Sequence, residues 1–92
     1  MKLDSRPRRT DEILVQQAGG SHVLLDPESG EYFTLNEVGA RIWALADGSR
    51  TVEEIAATLV AEYDAPDEAI RTDVLALLGE LERERLVGET TS

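Results

Sequence analysis

From Glu31 to Leu35 polar and apolar side chains alternate, and from Val38 onward the apolar positions fall at helical spacing, with Asn36 at the join. Alternation places Phe33 and Leu35 on one face of a strand and Tyr32 and Thr34 on the other. Val38, Ile42, Trp43, Leu45 and Ala46 then mark one side of a helix that stops at Asp47-Gly48. Asn36 suits the N-cap, because its side-chain carbonyl can accept an amide of the first turn, and Glu37 adds a negative charge at the positive end of the helix dipole. Gly39 and Ala40 give this helix a small surface for close approach, and Trp43 is its expected core anchor.

Upstream, residues 12–17 contain Ile13, Leu14 and Val15 and end at Gly19-Gly20, which predicts a strand and a turn. Residues 22–26, HVLLD, form a second apolar run closed by Pro27-Glu28-Ser29-Gly30, a tight reversal. Downstream, Thr51-Val52-Glu53-Glu54 matches a capping box and opens a helix through Tyr63, with Ile55, Leu59, Val60 and Tyr63 as its buried stripe. Pro66 fits the first position of a third helix reaching to about Leu86, and Asp67 and Glu68 complement its dipole. On this helix Ile70, Val74, Leu77, Leu78 and Leu81 form an apolar band wide enough to serve two neighbours, with Leu75 at its margin.

The chain of 92 residues therefore holds one domain over residues 12–87, of α+β class: three strands and then three helices, with winged helix-turn-helix character. Residues 1–11 are polar, carry Pro7 and lack periodicity, which predicts a disordered arm. From Val87 on there is little to pack, so residues 88–92 are expected to be a flexible tail.

Charge divides along the same boundary. Lys2, Arg6, Arg8 and Arg9 against Asp4 leave the first ten residues at +3 and the remaining 82 at −13, from a total of −10. An acidic globule repels phosphate backbones, so nucleic acid is not an expected partner. The third helix carries Arg71, Arg83 and Arg85 against Asp67, Glu68, Asp73, Glu80, Glu82 and Glu84, the wrong balance for a winged-helix DNA-binding regulator, the rival reading. No apolar run is long enough to span a bilayer and no h-region follows the basic residues, so the expected location is cytoplasmic, away from membranes.

There are no cysteines, which removes disulfides, thiolate metal sites and a cysteine nucleophile. The single histidine, His22, lacks a second histidine or a ligand-spaced carboxylate beside it and is expected to be structural. The glycines match no nucleotide or dinucleotide fingerprint, so neither a cofactor, a metal nor a catalytic residue is expected. What a small three-stranded sheet does offer is an edge, whose free amides and carbonyls can take an extended peptide as a further strand.

The run VLLD, a hairpin, GEYFTLNEVGARIW, then DGSRTVEEIAATLVAEYD and DVLALLGELERERLV resembles the PqqD-like proteins, stand-alone RiPP recognition elements, over residues 12–87. The resemblance implies three antiparallel strands packed on three helices, and a non-catalytic domain that binds the leader segment of a ribosomally made precursor peptide. It further implies that the peptide adds to the third predicted strand, at Glu31, Tyr32, Phe33, Thr34 and Leu35, with Asp73, Val74, Leu77 and Leu78 of the third helix as the facing wall. The implied enzyme partner is a radical S-adenosylmethionine maturase or a lasso-peptide protease. A small protein-binding subunit is the remaining alternative, since an open edge can also serve a protein. Open edges likewise allow dimerisation by strand exchange, so the expected state is a monomer or weak dimer.

Overall fold

The computed structural model describes residues 1–90. Its strands and helices follow one another as β1 (Pro7–Arg9), β2 (Leu14–Ala18), β3 (Ser21–Leu25), β4 (Tyr32–Leu35), α1 (Glu37–Leu45), α2 (Val52–Tyr63), α3 (Asp67–Arg83) and β5 (Val87–Glu89). β2, β3 and β4 form an antiparallel sheet in that order, followed by the three helices, which is the expected α+β arrangement.

Local signals act where the chain pattern places them. Asn36 caps α1 by accepting from the Gly39 amide at 2.8 Å. The capping box of α2 is complete: the Glu54 amide donates to the Thr51 hydroxyl at 3.1 Å and the Thr51 amide to the Glu54 carboxylate at 2.8 Å. Gly19 takes a positive φ of 63° in the two-residue turn between β2 and β3, a conformation that favours glycine. Pro66 stands at the N-cap of α3, one position before the helix, without a side-chain capping bond.

The core lies between the sheet and the helices. Leu24 and Leu35 come from the sheet, Ile42, Trp43 and Leu45 from α1, Val52, Ile55 and Leu59 from α2, and Val74, Leu78 and Leu81 from α3. Trp43 is 7% exposed, the core position expected of it. Tyr63, expected in the buried stripe of α2, is instead 38% exposed: it is the last residue of the helix, one position before the left-handed Asp64. β2 buries none of its residues, because it is β3 and β4 that pack most closely against α1.

The two chain ends depart most from expectation. Residues 1–11 do not form a disordered arm: Arg8 pairs with Gly88 and Pro7 with Glu89 in a second antiparallel sheet, β1 with β5. Ser5 and Pro7 are buried, Met1 and Leu3 pack against the core, and Val87 is 3% exposed. The expected flexible tail is likewise built in through Gly88 and Glu89, while Thr91 and Ser92 lie outside the described residues. The cause is non-local: each strand is too short and too polar to signal itself, but each satisfies the other's backbone. α3 stops at Arg83 rather than Leu86 because Arg85 adopts a left-handed φ of 60° and turns Leu86 and Val87 back into the core.

Candidate functional site: the outer edge of β4

β4 is the last strand of its sheet, so one side of its backbone has no ladder partner among the described residues. The side can be assigned. The Asp26 amide donates to the Glu31 carbonyl at 2.9 Å, and Leu24 faces Phe33 while His22 faces Leu35 in the same register. In an antiparallel pair the hydrogen-bonded positions alternate, so Glu31, Phe33 and Leu35 turn their backbone groups toward β3. The amides and carbonyls of Tyr32 and Thr34 therefore point outward, free to pair with another strand.

The side chains divide the other way. Phe33 and Leu35 face the helices, Phe33 half-buried and Leu35 2% exposed, while Tyr32 and Thr34 are exposed on the outer face. Beneath the free edge runs a groove of about 470 Å³ lined by Phe33, Thr34 and Leu35, by Asn36, Val38, Gly39 and Ile42 at the strand-to-helix corner, and by Ile70, Asp73, Leu77 and Glu80 of α3. Its floor is apolar and its α3 wall is acidic. On the other side of Phe33 lies a separate and much smaller hollow lined by Glu31, Tyr32, Glu84 and Leu86.

The corner that opens the groove is tightly made. A Cβ added at Gly39 would stand 3.2 Å from Leu35 Cδ2 and 3.3 Å from Asn36 Oδ1, closer than ordinary contact. Glycine at this position lets α1 start directly under the end of β4 and fixes the angle between them.

Of the expected site residues, the structure gathers Phe33, Thr34, Leu35, Asp73 and Leu77 into one groove, whereas Glu31 and Tyr32 line the small separate hollow on the other side of Phe33. Val74 and Leu78 are elsewhere: both are fully buried in the core and wall no groove. The apolar band of α3 serves two neighbours, and these two residues face the inner one. Ile70, Leu77 and the intervening Asp73, with Glu80, form the flank turned to β4. Val38, Ile42, Ile70 and Glu80 were not anticipated as lining; their signal is the Ile70, Asp73, Leu77, Glu80 spacing, which follows one helix face only once that face is known.

Among the described residues no group of three metal-capable side chains comes together, and His22 lies half-buried between Gln17 and Leu35 in the sheet. A hollow beside β1 is lined by Arg8, Arg9, Asp11 and Asp47, but these charges are already engaged: Arg8 with Asp11 at 3.6 Å, Asp47 with Arg50 at 2.9 Å, Arg9 with backbone carbonyls. Among the described residues no helix is long and apolar enough to cross a membrane.

Fold and edge together define a small α+β domain of the RiPP recognition element type. The solution structure of the PqqD truncation of Methylobacterium extorquens PqqCD, described as a functional and stand-alone RiPP recognition element, matches at a TM-score of 0.74 and 32% identity over 89% of this chain and 87% of that one. TbiB1, solved in complex with the TbiA(beta) leader peptide, matches at a TM-score of 0.77 and 28% identity over 92% of this chain and 99% of that one. The family model for coenzyme PQQ synthesis protein D (PqqD) matches residues 21–87, and the chain belongs to that family. A PqqA binding protein of Xanthomonas axonopodis pv. citri is 35% identical over 86 residues, 91% of each chain. Another, from Bradyrhizobium diazoefficiens, is 39% identical over 59 residues, which span 64% of this chain and 55% of that relative's length.

Proposed function

We propose that this protein is a non-catalytic peptide chaperone of the cytoplasm that takes the leader segment of a ribosomally made precursor as a fourth strand on β4 and presents it to a modifying enzyme. The observation that carries this reading is the pairing of outward backbone groups at Tyr32 and Thr34 with an apolar groove directly beneath them. The backbone ladder supplies affinity without regard to sequence, and side chains of the added strand that turn toward the helices find Phe33, Leu35, Ile70 and Leu77. The Tyr32 backbone forms a rung of that ladder, Glu31 turns its own carbonyl to β3 and stands at the end of the strand, and Asp73 borders the groove. Val74 and Leu78 support the wall from behind.

The absence of cysteine and the single, sheet-bound histidine agree with a protein that performs no chemistry itself. The enzyme partner is a radical S-adenosylmethionine maturase or a lasso-peptide protease, a reading supported by the likeness both to PqqD proteins and to a lasso peptide synthetase B1 domain solved with its leader peptide. Nuclear magnetic resonance titration with the leader half of the precursor tests the reading. Binding should move the amides of residues 32–35 and 70–80; shifts confined to β1 and the hollow beside it would overturn it.

A further inference from the structure

The α3 wall of the groove carries negative charge that no cationic group among the described residues neutralises. Asp73 and Glu80 flank Leu77, both are exposed, and neither takes part in an ion pair among the described residues. The arginines of the helices are committed elsewhere: Arg41 to Glu62 at 2.6 Å, and Arg71 to Glu53 at 3.1 Å and to Asp67 at 3.3 Å. Arg83 and Arg85 stand beyond the groove, around the hollow that also holds Asp26, Glu28 and Glu84. The unbalanced charge is thus local to the stretch of wall from Asp73 to Glu80, over an apolar floor.

We infer that the groove selects a leader segment with lysine or arginine at groove-facing positions, and that Asp73 and Glu80 are the residues that impose this choice. The inference rests on the strand-addition reading and adds a chemical class to its ligand. Asp73 and Glu80 stand seven positions apart, about 10 Å along α3, roughly the span of three extended residues. Groove-facing positions recur every second residue, so two long basic side chains two or four apart reach one carboxylate each. Their methylene stems lie along Ile70 and Leu77, and their heads meet the carboxylates at the rim, where the flanking apolar surface weakens screening relative to open water. An acidic segment meets the same two charges as repulsion, so the wall excludes as well as attracts.

Two synthetic peptides test this on the full chain. Each is an acetylated 12-residue strand with threonine at every outward position and leucine and lysine alternating at the groove-facing ones; the twin has glutamate in place of lysine. With amide shifts and dissociation constants read together, the lysine peptide should bind roughly tenfold more tightly than its twin, with shifts in residues 32–35 and 70–80, and the gap should close at high salt. In Asp73→Lys/Glu80→Lys the preference should invert, whereas Glu68→Lys, which changes charge away from the groove, should leave the order intact. Equal affinities with shifts at β4 would overturn the charge selection and leave strand addition standing. A lysine preference that persists in the double variant, or shifts that avoid β4 with both peptides, would overturn the inference, and the second result would overturn strand addition with it.

Discussion

The Arg9 guanidinium donates from Nη1 to the carbonyls of Trp43, 3.0 Å away, and Ala44, 2.8 Å away, at the C-terminal end of α1. The last turn of α1 has no basic residue of its own, and its final carbonyls are the negative end of the helix dipole. A residue of the N-terminal strand therefore completes a helix that begins about 30 residues later in the chain. Arg6 acts similarly, donating to the Ser49 carbonyl at 2.8 Å. The basic segment and the acidic globule are parts of one structure. Arg9→Ala should cost about 1–2 kcal/mol, since charge-assisted bonds to one part-buried and one exposed carbonyl are lost. Urea denaturation followed by circular dichroism measures it; a midpoint coincident with the parent's would show the contact to be idle.

Trp43→Ala should destabilise the domain by about 3–5 kcal/mol, because a large buried aromatic leaves a cavity that a core this small does not refill. Thermal unfolding is the measurement. A midpoint within a few degrees of the parent's would contradict the burial of Trp43, which is 7% exposed.

On β4 the direction of each amide gives two proline variants opposite effects. Thr34→Pro removes an outward amide and should abolish leader binding with the fold intact, whereas Phe33→Pro removes an amide turned to β3 and should unfold the sheet. On α3 the same contrast holds between half-buried Leu77 and fully buried Leu78: Leu77→Asp should cost binding and Leu78→Asp the fold. Calorimetric titration beside circular dichroism separates the pairs. Binding that survives Thr34→Pro would place the peptide elsewhere.

Acid should loosen the helix termini before the core. The Ser49 hydroxyl and amide, at 2.6 and 2.9 Å, with Arg50 close by, hold the Asp47 carboxyl down at about 2. The Thr51 amide lowers Glu54, and the Arg41 guanidinium lowers Glu62. All three titrate lower folded than unfolded, so their contribution is complete above the ordinary carboxylate range and is lost as pH falls from about 4.5 toward 2. Chemical denaturation at stepped pH should show stability declining through that window; a flat profile would contradict it.

Duplex DNA should show no binding at physiological salt, given −13 over residues 11–92 and an α3 rich in carboxylates. Fluorescence anisotropy with mixed-sequence duplex decides, and salt-sensitive sub-micromolar binding would favour the regulator reading.

The parts of the fold legible in the chain are those set by neighbours in sequence. Asn36, Gly39 and the Thr51–Glu54 pair each act within four residues, and the Phe33/Leu35 alternation states which face of β4 is buried. What depends on distant partners was not legible. Pro7-Arg8-Arg9 has no strand propensity and becomes a strand only because Val87-Gly88-Glu89 lies beside it. Similarly, Leu77 and Leu78 are adjacent leucines in one apolar band, and only the position of α1 and β4 makes one a groove wall and the other core. A helical wheel orders residues around an axis but does not say where the axis points.

The joining of β1 to β5 also bears on the order in which the domain assembles. Ser5 and Glu89, 84 positions apart in the chain, are bonded at 2.8 Å. Closing so long a loop sacrifices chain entropy that few other contacts in the domain demand, so this clasp is expected to form after the helices have condensed and to part before they do. Hydrogen exchange should then find the Thr10 and Thr90 amides, which donate to the Leu86 and Arg6 carbonyls, opening ahead of those in α2, with the edge of β4 still in place: a closure that can slip without disarming the proposed site.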